Sequence, residues 1–270
     1  MSGKSGVEIG GSSMNQSERR QILIRFLIKE QSGYRKIMVP HDSDEQKKML
    51  RSLINIRMAA PVSDEFQRIQ DEYLQEENRK RGIVELSALT PVQNEIYLWR
   101  GDITRLACGA IVNAANSGMT GCYQPCHNCI DNCIHTYAGM QLRSFCSEMM
   151  VEQGYAEPTG QAKITPAYNL PCQYVIHTVG PIVQGKLAQK DQDLLRSCYQ
   201  SCLDLAEEKG IESIAFCCIS TGVFCFPNAR AAEIAVETVK EHKAQTGSDI
   251  KVVFNVFKEE DEGIYRRLLG

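Results

Sequence analysis

Four cysteines and two histidines lie close together in the sequence, between Cys122 and His135, with one carboxylate, Asp131, among them. Thiolate and imidazole groups bind soft or borderline ions such as zinc. The spacing of these side chains is too irregular for one face of a helix, so it predicts a turn wrapped around a metal ion. Six such side chains exceed the four that a tetrahedral ion takes. The competing interpretation is a chance cluster of reduced thiols, which the spacing disfavours.

Two further segments carry polar groups and glycine, and both follow predicted strands. Gly101 to Thr104 contains Asp102, whose carboxylate could accept a hydrogen bond from an exocyclic amine such as that of adenine. Ser220 to Pro227 combines small residues with the start of a helix, which suits phosphate oxygens. Each segment taken alone also fits a plain turn or helix cap, and this alternative stays open for both.

Short apolar runs alternate with longer amphipathic ones after Pro91, and this alternation predicts an α/β sheet with helices on both faces. Strands are expected at Ile96 to Trp99, Ala110 to Val112, Tyr174 to Thr178, Ser213 to Ile219 and Lys251 to Phe257. Helices are expected at about 131–152, 191–209, 227–245 and 259–269. Ligands bind beyond the carboxyl ends of the strands in such sheets, so the three segments are expected to meet in one crevice.

The chain before this sheet has a different pattern. Residues 1–13 are rich in glycine and serine and precede Met14, so they are interpreted as an artificial leader ahead of a natural start. Residues 14–82 show apolar residues at helical spacing among many charges, with a helix expected to begin at Ser63. Because no catalytic cluster occurs there, the segment is interpreted as a helical extension or cap of the part that spans 83–270.

Composition argues against several classes of function. The 270 residues carry a formal net charge of -3, which gives no positive field to gather nucleic acid or an anionic membrane. The sequence lacks an apolar run long enough to cross a bilayer and a signal-peptide pattern, so we expect a cytoplasmic monomer with reduced cysteines. Four of the twelve cysteines lie in apolar segments and are expected to pack as small hydrophobic residues: Cys198, Cys202, Cys217 and Cys218.

Four motifs, each at the end of a predicted strand, resemble the macrodomain family over about residues 83–270. They are Gly101-Asp102-Ile103-Thr104, Asn113-Ala114-Ala115-Asn116, Ile176-His177-Thr178-Val179-Gly180-Pro181 and Ser220-Thr221-Gly222-Val223-Phe224-Cys225-Phe226-Pro227. The resemblance implies a three-layer α/β/α fold with a mixed central sheet. It also implies binding of ADP-ribose and, as in many members, hydrolysis of the bond that joins ADP-ribose to a protein side chain.

The cysteine segment narrows this resemblance to one branch. Where many hydrolytic macrodomains carry a run of glycines, this chain has Gly121 to Cys129 followed by Ile130-Asp131-Asn132. It is similar there to the zinc-dependent macrodomains of bacteria and fungi, which also carry a helical N-terminal extension. The similarity implies one Zn²⁺ per chain, held by Cys122, His127 and Cys129 with a fourth position open. Cys126 and Cys133 fall on variable positions of the branch and are left without a role.

The same resemblance implies a role for each strand-end loop. Asp102 would contact the adenine, Ile103 would also bind ADP-ribose, and Asn116 and Asp131 would take the distal-ribose and catalytic positions. The backbone that would hold the diphosphate is that of Ser220, Thr221, Gly222, Val223, Phe224, Cys225 and Phe226. Zinc would coordinate a distal-ribose hydroxyl or the scissile carbonyl, with or without an activated water.

Simpler interpretations of these side chains stay open. Asn116 could only cap a turn and Asp131 only a helix, and His135 and His177 are expected to pack in the interior. Cys225 departs from the glycine that the family usually has at its position. Its side chain is expected to disfavour a positive φ and to narrow the approach to the diphosphate.

Other functions fit parts of the sequence. Cys122, Cys126 and Cys129 have the spacing of the iron-sulfur motif of radical S-adenosylmethionine enzymes, although too few residues follow for the barrel of those enzymes. A reader would bind ADP-ribose without cleaving it, and an esterase would act on O-acetyl-ADP-ribose. Because relatives are often encoded beside a sirtuin-like ADP-ribosyltransferase and a lipoyl-carrier protein, the expected substrate is a mono-ADP-ribosylated protein of that kind, linked through a carboxylate.

Overall fold

A computed structural model describes residues 14–31, 33 and 37–270, so the leader expected at 1–13 lies outside the described residues. Three helices come first: α1 (Gln16–Glu30), α2 (Ser43–Ile56) and α3 (Asp64–Arg81). Each begins at a side chain that caps it, because Asn15, Asp42 and Ser63 accept hydrogen bonds from N–H groups of the first turn. The helix start predicted at Ser63 is thereby confirmed.

The chain from residue 84 onwards alternates strands and helices. The strands are β1 (Val84–Glu85), β2 (Pro91–Gln93), β3 (Ile96–Arg100), β4 (Leu106–Ala107), β5 (Ala110–Ala115), β6 (Ala162–Pro166), β7 (Tyr174–Val179), β8 (Ser213–Phe216) and β9 (Lys251–Val256). The helices are α4 (Ile130–Ala138), α5 (Met140–Gln153), α6 (Gln189–Glu208), α7 (Asn228–Thr246) and α8 (Glu259–Leu269).

Seven of the strands form one mixed sheet in the order β2-β3-β9-β8-β5-β7-β6, and β1 pairs with β4 separately. The five central strands run parallel, whereas β2 and β6 at the two edges are antiparallel to their neighbours. All residues of β8 are buried, as are all but the first of β9, because parallel strands of this kind are covered on both faces. The predicted α/β class with a mixed central sheet is confirmed.

The structure corrects several predicted bounds. The helix expected at 131–152 is interrupted at Gly139, whose φ of +102° does not fit a right-handed helix. The strand expected to end at Ile219 ends at Phe216, and the one expected to end at Val112 continues to Ala115. Four strands were not predicted, since β1, β2 and β4 are very short and β6 is a half-exposed edge strand without a continuous apolar run.

Helices α1 to α3 share a small core of their own, which includes Leu23, Leu50 and Phe66. Met140, the first residue of α5, belongs to the same core, and α2 and α3 also pack against α4. The helical segment therefore lies against α4, which contains the end of the cysteine-rich segment, and against α5, which follows it. Across the residues that the structure describes, every helix is too short or too polar to span a lipid bilayer.

Candidate active site and metal centre

The predicted loops lie at the same end of the sheet. Strands β3, β5 and β8 belong to the parallel set, so their carboxyl ends point the same way. Gly101 follows β3, Asn116 follows β5, and the loop that contains Ser220 follows β8. This end is where open α/β sheets bind ligands, because strand ends and helix N-termini leave backbone groups and side chains free there.

Cys122, His127 and Cys129 bring their ligand atoms within 4.8 Å of one another. Cys122 Sγ lies 3.5 Å from His127 Nδ1. Tetrahedral bonds of about 2.3 Å to sulfur and about 2.0–2.1 Å to nitrogen would hold two such atoms about 3.5 Å apart. The identity and spacing of these donors therefore fit the predicted zinc ion, whose presence stays a prediction.

The electrostatics of the two cysteines also favour a cation. The pKa of the Cys129 thiol is raised to about 12, chiefly by burial, and the neighbouring Cys122 and Asp131 also raise it. The N–H of Asn132, 3.4 Å from Cys129 Sγ, acts in the opposite direction. Two thiolates beside a carboxylate are costly without a positive charge between them, and a bound metal ion supplies that charge.

The two cysteines that the sequence left without a role do not join this group. Cys126 Sγ lies 3.2 Å from Ser52 Oγ, and Cys133 Sγ lies 3.6 Å from Arg51 Nη2, so both thiols contact helix α2. An iron-sulfur cluster of the radical S-adenosylmethionine type would need Cys126 together with Cys122 and Cys129. The open mixed sheet is also not the barrel of those enzymes, and that alternative is excluded.

Asp131 is the buried carboxylate of the site, with 5% of its surface exposed. Its Oδ1 accepts a hydrogen bond of 2.8 Å from Asn113 Nδ2, and its Oδ2 accepts one of 3.1 Å from Asn116 Nδ2. Asn116 Nδ2 also lies 3.1 Å from the carbonyl oxygen of Gly121. Burial raises the pKa of Asp131 to about 6, although the two amides and the cationic Arg143 lower it.

Asn113 is a site residue that the sequence analysis missed. It was expected beyond the end of a strand, but β5 continues to Ala115 and buries Asn113 completely. Its Nδ2 lies 3.1 Å from Nδ1 of His177, whose Nε2 lies 2.9 Å from Thr165 Oγ1. The signal that could have revealed it is an asparagine inside an apolar strand, because a buried amide needs partners.

His135 and His177 are both buried, as expected for packed side chains. They form a second close group with Cys146, in which the ligand atoms lie within 4.8 Å of one another. Burial lowers the pKa of His177 to about 3 and that of His135 well below its usual value. Neither ring nitrogen of His135 has a hydrogen-bond partner among the described residues, and its Nε2 lies 3.6 Å from Asp131 Oδ1. Packing therefore explains why His135 is buried, but it does not explain why its two ring nitrogens lack hydrogen-bond partners.

The loop from Ser220 to Phe226 folds back on itself. Phe226 N donates to Ser220 O at 3.0 Å, and Cys225 N donates to Gly222 O at 3.1 Å. Among the described residues, no atom accepts a hydrogen bond from the N–H of Gly222, Val223 or Phe224. Three consecutive free N–H groups just before helix α7 suit an anion. The predicted diphosphate contacts of Ser220, Thr221, Gly222, Val223, Phe224, Cys225 and Phe226 stay predictions.

Cys225 adopts a φ of +57° although it is not glycine. For an L-residue this left-handed conformation costs roughly 1–2 kcal/mol. The side chain was expected to disfavour a positive φ, but the loop adopts one at this position all the same. The side chain is exposed, and its Sγ lies 3.4 Å from Val223 O.

Asp102 already has partners within the protein. Its Oδ1 accepts hydrogen bonds from Thr104 N at 3.0 Å and Thr104 Oγ1 at 2.6 Å, and its Oδ2 pairs with Arg81 of helix α3. Ile103 is buried, and its contact with ADP-ribose stays a prediction. The carboxylate is held in a fixed orientation beside the end of β3, and its contact with adenine stays a prediction.

Phe257 is a second residue that the sequence analysis did not assign to the site. It follows β9, whose Val256 O accepts a hydrogen bond of 3.0 Å from Gly101 N, so it lies next to the Asp102 loop. With 77% of its surface exposed, the ring offers a free aromatic face. An aromatic residue directly after an apolar strand is the signal that could have indicated it.

Several known proteins are similar to this chain in sequence. The Macro domain family matches residues 112–235. A protein of Treponema medium named protein-ADP-ribose hydrolase is 59% identical over 95% of this chain and 100% of its own length. A protein of the same name from Staphylococcus aureus (strain MRSA252) is 47% identical over 92% of this chain and 94% of its own.

Solved structures show the same fold. A Trypanosoma brucei macrodomain in complex with ADP superimposes with a TM-score of 0.64 at 30% identity, over 83% of this chain and 96% of that one. An Oceanobacillus iheyensis macrodomain with ADP gives a TM-score of 0.60 at 34% identity, over 67% and 93% of the two chains.

Proposed function

The chain belongs to the Macro domain family, and we propose that it is a zinc-dependent hydrolase that removes mono-ADP-ribose from modified protein side chains and releases ADP-ribose. Relatives that share about half of its residues over nearly the whole chain are named protein-ADP-ribose hydrolases, which supports the hydrolytic part. The finer parts of the proposal, the zinc ion and a carboxylate linkage, depend on the residues of the site.

One observation carries the proposal. The amide of Asn116 contacts both the Asp131 carboxylate and the carbonyl oxygen of Gly121, the residue before Cys122. The carboxylate proposed to act on the substrate is thus hydrogen-bonded, through one side chain, to the segment that carries the three metal ligands. A protein that only reads ADP-ribose needs the nucleotide crevice but not this arrangement.

Each strand-end loop has one task in the proposed mechanism. The free N–H groups of Gly222 to Phe224 bind the diphosphate, and the carboxylate of Asp102 and the ring of Phe257 are available to the adenine. Asn116 holds the distal ribose beside Asp131. Amide donors on both oxygens of Asp131 fix the plane of its carboxyl group, so it can orient a ribose hydroxyl or a water without reorganising.

Cys122, His127 and Cys129 would hold the zinc ion and leave a fourth position for the substrate or water, as catalytic zinc requires. When bound there, zinc supplies Lewis-acid polarisation of an oxygen atom or a nucleophile at neutral pH. Thiol ligands of this kind fit a reducing compartment, and we propose that the protein acts as a monomer in the cytoplasm.

As the substrate we propose a mono-ADP-ribosylated protein joined through a carboxylate, such as a lipoyl-carrier protein modified by a sirtuin-like transferase. The ester of O-acetyl-ADP-ribose offers the same bond type on a small molecule, so the two substrates must be compared directly.

The test incubates mono-ADP-ribosylated carrier protein with the enzyme as isolated, with the enzyme after chelation, and with the chelated enzyme after zinc is added back. Released ADP-ribose is measured by chromatography, and O-acetyl-ADP-ribose serves as the competing substrate. We expect release in the first and third samples only. Binding of ADP-ribose without release in all three would show a reader, and release that survives complete chelation would remove zinc from the mechanism.

A further inference from the structure

Helix α2 contacts the metal loop, defined here as residues 121–129, next to its ligands. Arg51 Nη2 donates a hydrogen bond of 2.7 Å to the carbonyl oxygen of His127, one of the three proposed ligands. One turn further along the helix, Asn55 Oδ1 accepts a hydrogen bond of 2.9 Å from the N–H of Cys126. Two side chains of α2 therefore hold the backbone on both sides of the peptide bond between Cys126 and His127.

The metal loop has little backbone structure of its own. Its residues make one backbone hydrogen bond to each other, from His127 N to Gln124 O at 3.3 Å. Cys126 adopts a φ of +53°, a left-handed conformation that is unfavourable for a cysteine. A conformation of this kind persists only where the surroundings impose it, and at Cys126 the surroundings are Asn55, Ser52 and the Lys48 carbonyl.

Asn132 connects α2 to Cys122, the proposed ligand at the start of the metal loop. Its Oδ1 accepts a hydrogen bond of 3.1 Å from Arg51 Nη2. Its Nδ2 lies 3.2 Å from the carbonyl oxygen of Cys122 and 3.0 Å from that of Gln124. One amide side chain thus joins Arg51 to the backbone of a second proposed ligand.

Arg143 of α5 fixes the end of α2 relative to the same loop. Its Nη1 lies within 3.0 Å of the carbonyl oxygens of Ile54, Asn55 and Arg57, at the C-terminus of α2. Its Nε donates to Thr120 O at 2.8 Å, and its guanidinium lies 4.4 Å from the ring centre of Tyr123. The position of α2 and that of the loop are therefore set by one buried cation.

From these contacts we infer that helix α2 is part of the metal centre, and that Arg51 and Asn55 are positioning residues that hold Cys122 and His127 in their ligand geometry. The inference rests on the proposed function in one respect, which is that zinc binds the loop. Partners of this kind beyond the ligands typically contribute about 10- to 100-fold to metal affinity. The N-terminal helical segment then does more than cap the fold, because the affinity for zinc depends on it.

The test compares two substitutions in α2 with two matched controls in α1 and α3. Asn55→Ala removes a buried amide that accepts the N–H of Cys126, and Gln70→Ala removes a buried amide that accepts the N–H of Met140 at 3.0 Å, away from the loop. Arg51→Met is matched by Arg19→Met, which removes a half-buried arginine that pairs with Glu72. Zinc affinity is measured on the full chain by competition with a chromophoric chelator, and folding is monitored by thermal unfolding of the metal-free protein.

We expect Asn55→Ala and Arg51→Met to weaken zinc binding by about 10- to 100-fold, and the controls to leave it within about threefold of the parent at a similar loss of Tm. Absorption of the cobalt-substituted proteins gives a second readout, since a displaced ligand changes the coordination spectrum. Unchanged zinc affinity in both α2 variants, or an equal loss in the controls, overturns the inference.

This outcome is separable from a failure of the proposed hydrolase. A parent protein that binds zinc but releases no ADP-ribose would remove the hydrolytic function while the affinity difference still supports the role of α2. A parent that binds no zinc would overturn both. Because Arg51 is only half-buried, its variant keeps the test decisive if Asn55→Ala fails to fold.

Discussion

Substitution of Gly121 by alanine tests whether the start of the metal loop is held by the buried ring of His135. Gly121 has a φ of +86°, and a Cβ at this position would lie 2.8 Å from both Cγ and Cδ2 of His135. That ring is buried at 2% exposure and belongs to α4, so it cannot swing into solvent. The added methyl group must therefore displace either the loop or the helix.

The expected cost has two parts. The left-handed φ costs an alanine roughly 1–2 kcal/mol, and forcing a methyl group against a packed ring costs typically about 1–3 kcal/mol. Gly154→Ala is the matched control, because Gly154 has a φ of +77° and a Cβ there would have no neighbour within 4 Å. The control carries the dihedral cost alone, so Gly121→Ala should be less stable than Gly154→Ala by about 1–3 kcal/mol.

The assay is urea-induced unfolding of both variants and the parent, first in the presence of a chelator and then with excess zinc. In chelator the difference between the variants reports the contact with His135, and in zinc it should grow, because the displaced loop carries Cys122. Each kcal/mol moves Tm by roughly 2–4 °C in chains of similar size, which gives an independent thermal check. Equal stability of the two variants in chelator would refute the reasoning.

Three further predictions address the site directly. Cys129→Ala should abolish zinc binding and release of ADP-ribose, whereas Cys126→Ala should retain both, because the Cys126 thiol contacts Ser52 and does not belong to the ligand group; a metal-free Cys129→Ala protein with full activity would contradict the ligand assignment. Asp131→Asn should slow release by about 100-fold or more while isothermal titration still detects binding of ADP-ribose, because the neutral amide has one acceptor oxygen and can accept from only one of Asn113 and Asn116; unimpaired turnover would remove Asp131 from the mechanism. Cys225→Gly should raise the free energy of unfolding by up to about 1 kcal/mol, because relief of the left-handed φ exceeds the entropy cost of glycine; a lowered Tm would contradict it.

Much of the fold could be predicted because its signals are local. Strands buried on both faces are mostly apolar, so β7, β8 and β9 stood out as nearly continuous apolar runs. The start of α3 was visible because capping depends on one side chain and the three residues after it. The edge strand β6 was missed because a half-exposed strand has no such run.

The candidate metal ligands could also be named in advance. Cysteine and histidine have few roles that require such close spacing, and the resemblance then selected Cys122, His127 and Cys129 from the six candidates. The structure brings these three together, and it directs Cys126 and Cys133 toward α2. Sequence alone left those two thiols unassigned, since the direction of a side chain in an irregular loop has no periodicity to predict it.

The sequence by itself determined the alternation of strands and helices and the chemical identity of the ligands, because both depend on residue type and short-range spacing. Only the tertiary structure decided what surrounds them. Arg51 and His127 are 76 residues apart in the chain, and Asn113 reaches Asp131 across 18. Such contacts exist only after packing has joined separate elements, and the burial that raises the pKa of Asp131 arises at the same step.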